Sequence, residues 1–111
     1  MNTFLRDQIM RVMQGHRGRA NAMPRKVLLA ELRLYRPSFT DRDCRELYSD
    51  LPLCSCEEGI FFPIYSIEVQ EFRIYLEKKV GPIIAARRCN IIYAYYPNLR
   101  PNYGIQQELF R

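Results

Sequence analysis

The chain contains no tryptophan and a single histidine, His16, among its 111 residues. One imidazole cannot supply the His-plus-carboxylate grouping that much acid–base and nucleophilic chemistry uses. No nucleophile elbow or phosphate-cradling P-loop stands in for it, so no enzymatic activity is expected. No apolar run approaches the roughly 18 residues that a membrane-crossing helix needs, and the opening residues lack a secretory layout. The expectation is a cytoplasmic protein without a membrane partner, in which Cys44, Cys54, Cys56 and Cys89 stay reduced. Cys54 and Cys56 lack the spacer of about two to four residues usual between zinc ligands, and no second close pair follows. Buried strand cysteines are the simpler reading, and neither a metal nor another cofactor nor a small-molecule ligand is expected.

What the chain does have is apolar content and a local excess of positive charge. It is 48% hydrophobic, enough for one compact unit without disulfides. Its net charge is +5 with a pI near 9.2. Residues 14–36 carry Arg17, Arg19, Arg25, Lys26, Arg33 and Arg36 against Glu31 alone, so six minus one places a charge equal to the whole excess in this segment. Residues 51–80 are acidic, with Arg73, Lys78 and Lys79 against Glu57, Glu58, Glu68, Glu71 and Glu77. A basic patch confined to one segment suits a polyanion such as nucleic acid, although solvated helix charge gives the same count.

The segment from Met23 to Asp50 organises the rest, because it predicts two amphipathic helices joined by a tight turn. Pro24 fits the first helical position, where its missing N–H costs nothing, and Leu28, Leu32 and Tyr35 make an apolar stripe. Pro37 stops that helix by pushing Arg36 out of the helical region. Thr40 then caps a second helix, with Asp43 three positions on completing a capping box and Phe39 and Cys44 placed as a hydrophobic staple. Cys44, Leu47, Tyr48 and Leu51 form its buried stripe, while Arg42, Arg45, Glu46 and Ser49 face outward.

On either side of this pair the elements are shorter or less marked. Asn2 or Thr3 can cap a first helix through about Met13, with Phe4, Leu5, Ile9, Val12 and Met13 on its apolar face. Gly15 ends it, a basic loop follows, and Ala20–Met23 is a candidate short strand. Leu53–Ile64 predicts a β-hairpin turning at Glu57-Glu58-Gly59, with Cys54 and Cys56 on one face of the first strand. Ser66 caps a longer helix with Val69, Phe72, Leu76 and Val80 inward and Glu68, Gln70, Glu71, Arg73, Glu77 and Lys78 outward. Gly81-Pro82 breaks it, and a further helix to about Tyr96 is apolar on most sides, which calls for the body of the chain or a second subunit as cover. A loop tail from Pro97 ends with a turn or two near Ile105–Phe110.

The order helix, short strand, helix, helix, hairpin resembles the winged helix-turn-helix superfamily of DNA-binding domains, with residues 1–65 as the module and 66–111 as a C-terminal helical extension and tail. The resemblance implies a mainly α fold with a small β-hairpin, and a non-enzymatic protein that binds duplex DNA without a cofactor. Small proteins of this type look like transcriptional regulators or accessory proteins of phages and mobile elements. Residues 40–51 would correspond to the helix placed in the major groove and Glu57-Glu58-Gly59 to the wing tip. Arg17, Arg19, Arg25 and Lys26 would meet phosphates, with Arg42, Arg45 and Ser49 closest to bases. The extension, residues 67–96, resembles those through which such proteins form homodimers. Against DNA stands the charge of residues 40–51, where Arg42 and Arg45 face Asp41, Asp43, Glu46 and Asp50, two minus four. A winged helix serving as a protein-contact module is therefore the alternative. A third reading takes Gly15-His16-Arg17-Gly18 as a GxxG loop for single-stranded nucleic acid.

Overall fold

In the computed structural model, which describes residues 2–101, the fold is mainly α with one small β-hairpin. Helices α1 (Asn2–Val12), α2 (Arg25–Arg33) and α3 (Asp41–Tyr48) precede strands β1 (Cys54–Cys56) and β2 (Gly59–Phe61), and helices α4 (Ser66–Val80) and α5 (Pro82–Tyr95) follow. Single 3-10 turns continue α1 and precede α2, and a third follows α5. The expected final turns near Ile105–Phe110 lie outside the described residues. No helix among the described residues is long and apolar enough to cross a membrane.

The hairpin is the middle layer. It pairs antiparallel with Cys54 opposite Phe61 and Ser55 opposite Ile60, and because side chains alternate along a strand, consecutive residues belong to opposite sides. Leu53, Ile60 and Phe62 join the core of the first three helices, built on Leu5, Ile9, Met13, Leu28, Leu32, Cys44 and Leu47. Cys54 and Phe61 join a second core with Val69, Phe72, Leu76, Ala85, Cys89 and Ile92 of α4 and α5. A three-residue strand can be covered on both faces only if both faces are apolar, which the run Ile60-Phe61-Phe62 provides.

The candidate strand at Ala20–Met23 contracts to one residue. Residues Arg19–Asn21 form a 3-10 turn, and Met23 alone pairs with β2, exchanging both backbone hydrogen bonds with Ile60 at 2.8 and 2.9 Å. Gly59 sits under this bridge with φ 142°, and a Cβ there would collide with the Met23 carbonyl. The basic loop before Met23 is also fastened: the Gly18 N–H donates to the Phe62 carbonyl at 2.7 Å and the Phe62 N–H to that of His16 at 2.9 Å.

Helix ends differ from expectation at several points, each for a local reason. Thr3 already lies inside α1. Pro24 stands one position earlier than expected, as the N-cap of α2, its carbonyl accepting from the N–H groups of Val27 and Leu28. The helix closes at Arg33, so Tyr35 leaves the buried stripe and is half exposed, its ring edge-on to Phe4. Ser66 is the first residue of α4 and Tyr65 its cap. Val80 is exposed at the end of the α4 stripe.

Glu68 reverses its expected placement most sharply. Its carboxylate is buried, accepting from the backbone N–H groups of Ile64 (2.7 Å) and Tyr65 (3.0 Å) on one oxygen and of Arg19 (2.6 Å) on the other. It satisfies orphan donors at the start of α4 and ties the basic loop to that helix. Periodicity marked the position as outward, but a loop from another part of the chain covers it.

Two side chains of the C-terminal part reach across to the first core. The Arg88 guanidinium lies over the rings of Phe72 (4.9 Å) and Tyr48 (5.9 Å), and burial pushes its pKa down. Tyr96 packs against both cores and stands edge-on to Phe62.

Candidate nucleic-acid interface

The starts of α2 and α3 define the site. Thr40 caps α3 as expected: its hydroxyl accepts from the Asp43 N–H at 3.1 Å, and the Asp43 carboxylate accepts from the Thr40 N–H at 3.0 Å. Those Thr40 contacts hold the Asp43 carboxyl below the usual carboxylate range. Cys44, Leu47 and Tyr48 are buried behind, and the Cys44 thiol is pushed up to about 11 by burial. Capping and burial together fix which side of α3 meets solvent.

On that side Asp41 joins two helices. Its carboxylate stands 3.5 Å from Arg25 Nε in the first turn of α2 and 3.4 Å from Arg45 Nε one turn further along α3. The Arg25 guanidinium is also held charged, first of all by the Tyr48 hydroxyl. Lys26, beside Arg25, is exposed and makes no ion pair among the described residues. Arg42 is more exposed than Arg25 or Arg45, 82% accessible, and lies 3.2 Å from Glu46. Ser49 closes α3 and turns its hydroxyl back to the Glu46 carbonyl at 2.9 Å.

Arg17 and Arg19 do not join this group. Arg17 donates to Gln14 Oε1 at 2.6 Å, with its guanidinium 5.6 Å from the centre of the Phe62 ring. Arg19 spans Glu58 at the hairpin tip (3.6 Å) and Glu71 of α4 (3.1 Å). His16 Nδ1 lies 2.9 Å from the Asn21 carbonyl, inside the fastened loop. Of the seven residues singled out in the sequence, Arg25 and Arg45 therefore meet on one carboxylate with Lys26 adjacent, Arg42 and Ser49 share the outer side of α3, and Arg17 and Arg19 flank the hairpin.

A groove of about 760 Å³ runs beside Arg25 and Lys26, bounded by Asp41, Tyr48, the hairpin residues Ser55 to Ile60, and Tyr75 and Lys79 of α4. Its cations are Arg25, Lys26 and Lys79, and its carboxylates Asp41, Glu57 and Glu58. Two of those carboxylates are already engaged, Asp41 by Arg25 and Arg45 and Glu58 by Arg19, whereas Glu57 makes no ion pair among the described residues. Sequence reasoning missed Lys79 and Tyr75, because only the packing of α4 against β1 brings them to the groove. Their one local signal is the four-residue spacing that lays Lys79 over Tyr75.

The ion pairs at this surface are solvent-exposed, with side-chain accessibilities from 44% to 82% for those on α3. Exposed pairs contribute at most about 1 kcal/mol each, so a phosphate can displace a carboxylate partner at small cost. The cysteines divide between the cores, Cys44 in the first and Cys54 and Cys89 in the second with Cys56 packed against it. Among the described residues no three His, Cys, Asp or Glu side chains are grouped to hold a metal ion. No family model matches this chain, and comparison with curated proteins and with solved structures finds no match to it.

Proposed function

We propose that the chain is a non-enzymatic duplex DNA-binding protein of the winged helix-turn-helix type, a small transcriptional regulator or an accessory protein of a phage or mobile element. In this reading α3 enters the major groove, the first turn of α2 meets the backbone beside it, and the hairpin is the wing. The observation that carries it is the junction at Asp41, which brings Arg25 of α2 and Arg45 of α3 onto one surface next to Lys26. The three-layer order of helices and hairpin is compatible with such a module. Phosphate contacts fall to Arg25 and Lys26, with Arg17 and Arg19 on the hairpin flank, and base contacts to Arg42, Arg45 and Ser49.

Titration of a labelled random duplex at two ionic strengths tests it. Binding that weakens steeply with added salt is expected, and no binding at low salt removes the reading. Arg25→Ala with Lys26→Ala weakens all sequences alike, while Arg42→Ala changes preference among sites.

The net negative charge of α3 supports a second reading, a winged helix used only for protein contact. Under it, partner binding is indifferent to Arg25 and Lys26. Homodimerisation through residues 67–96 belongs to the same proposal, supported by Ile67, Ile74, Ile83 and Ile84, which stay exposed on α4 and α5. Light scattering that reports a monomer at tens of micromolar would reject it.

A further inference from the structure

We propose that the DNA-contacting surface does not end with the first three helices and the hairpin but continues onto α4, where Lys79 binds the sugar-phosphate backbone along the groove it shares with Arg25 and Lys26. This rests on the duplex-binding reading and extends it to an element that the sequence assigns to the C-terminal extension.

Three observations carry it. Lys79 borders the same groove as Arg25 and Lys26, so cations from α2 and α4 line one open channel. Its ammonium is placed and not merely exposed, held 4.7 Å from the centre of the Tyr75 ring, which itself lines the groove. Finally, the lysine one position earlier does not share the site: Lys78 is exposed yet borders no part of the groove. A hundred-degree step around a helix separates two residues of identical charge, and only one faces the channel. Of the opposing carboxylates, Asp41 and Glu58 already carry arginine partners, which leaves Glu57 as the one without an ion pair among the described residues against three lining cations. The occupant is one strand of a duplex, since a phosphate every few ångströms is the ligand that repeated, spaced cations along an open channel engage.

The test uses the full chain and a labelled random duplex over a series of salt concentrations, comparing Lys79→Gln, Lys79→Arg and Lys78→Gln. Each phosphate contact contributes about 0.9 to the slope of log affinity against log salt. Lys79→Gln is expected to lower that slope by about 1 and to weaken binding about threefold to tenfold on every sequence alike. Lys79→Arg keeps both, and Lys78→Gln leaves both at the wild-type value. Circular dichroism melts check that the variants stay folded, and the Arg variant guards against an effect of packing on Tyr75. An unchanged slope for Lys79→Gln overturns the proposal, as does an equal loss in Lys78→Gln or a Lys79→Arg variant that behaves like Lys79→Gln. If those results come while Arg25→Ala and Lys26→Ala still lower the slope, only the extension onto α4 falls. If the wild type binds no duplex at low salt, the DNA reading and this one fall together.

Discussion

The two cores on either side of the hairpin are built from helices of different kinds. On the side of α1–α3, charged and apolar residues separate cleanly, so Cys44, Leu47 and Tyr48 are buried while Arg42, Arg45 and Glu46 stay in water. On the side of α4 and α5 they do not: α5 buries Ala85, Cys89, Ile92 and Tyr93 yet leaves Ile83 84% exposed and Ile84 and Tyr95 partly so. Within the first set of helices the exposed large apolar residues are Phe4 and Val27, each a little under half exposed among the described residues. Among the described residues the second also leaves Ile67 and Ile74 exposed, and Arg88 and Tyr96 reach from its side to the first core.

The adjacent pair Phe61 and Phe62 offers the severest way to break this comparison, because one side chain enters each core. Either Phe61→Ala or Phe62→Ala is expected to cost about 3–5 kcal/mol, since both rings are buried. Hydrogen exchange on the folded variants should separate them. Phe61→Ala loosens the amides of α4 and α5 first, and Phe62→Ala those of α1–α3. If both open the same set of amides, the two cores form one cooperative unit and the distinction has no energetic meaning.

A smaller effect is expected at Glu68, the carboxylate that joins the two sides. Glu68→Gln leaves a single acceptor oxygen where two served three backbone donors, and its amide NH₂ must face one of them. The loss is about 1–3 kcal/mol, the cost of stranding a buried donor, and urea denaturation measures it. A variant as stable as the wild type would show that the basic loop and α4 stand together without this carboxylate.

Much of the first side was legible in the sequence, because its signals are local. The Thr40–Asp43 box, the stripe from Cys44 to Leu51 and the hairpin each depend on residues a few positions apart and appear as expected, although the turn itself is Glu57-Glu58 and Gly59 already pairs with Cys56 in β2. What was not legible depends on distant segments. Glu68 looked solvated because its three donors include the N–H of Arg19, 49 positions away. The strand before α2 shrank to Met23 because Ile60 offers it one bridging residue and no more. At the site, Arg25, Lys26 and Arg45 came together, which charge counting alone could not place. The separation of Arg17 and Arg19 from them follows from nearby Gln14, from Glu58 and Phe62 of the hairpin segment and from Glu71 of α4.

The smallest expected effect sharpens the same comparison, since each side begins a helix with a carboxylate at its third position, exposed in Asp43 and buried in Glu68. Asp43 bonds the Thr40 N–H, and its pKa is held below its ordinary value of 3.8. A carboxyl whose folded pKa is depressed stabilises the fold above the unfolded value, and that contribution is lost as pH falls through the folded one. Thermal melts of the wild type and Asp43→Asn should therefore differ by a few degrees at most near neutrality and converge below about pH 4. The Asp43→Asn loss should also be smaller than that of Glu68→Gln, because water replaces the more exposed cap more readily than the buried one. If Asp43→Asn costs as much as Glu68→Gln, then exposure does not set the strength of these caps. The difference between the two sides would then lie in packing alone.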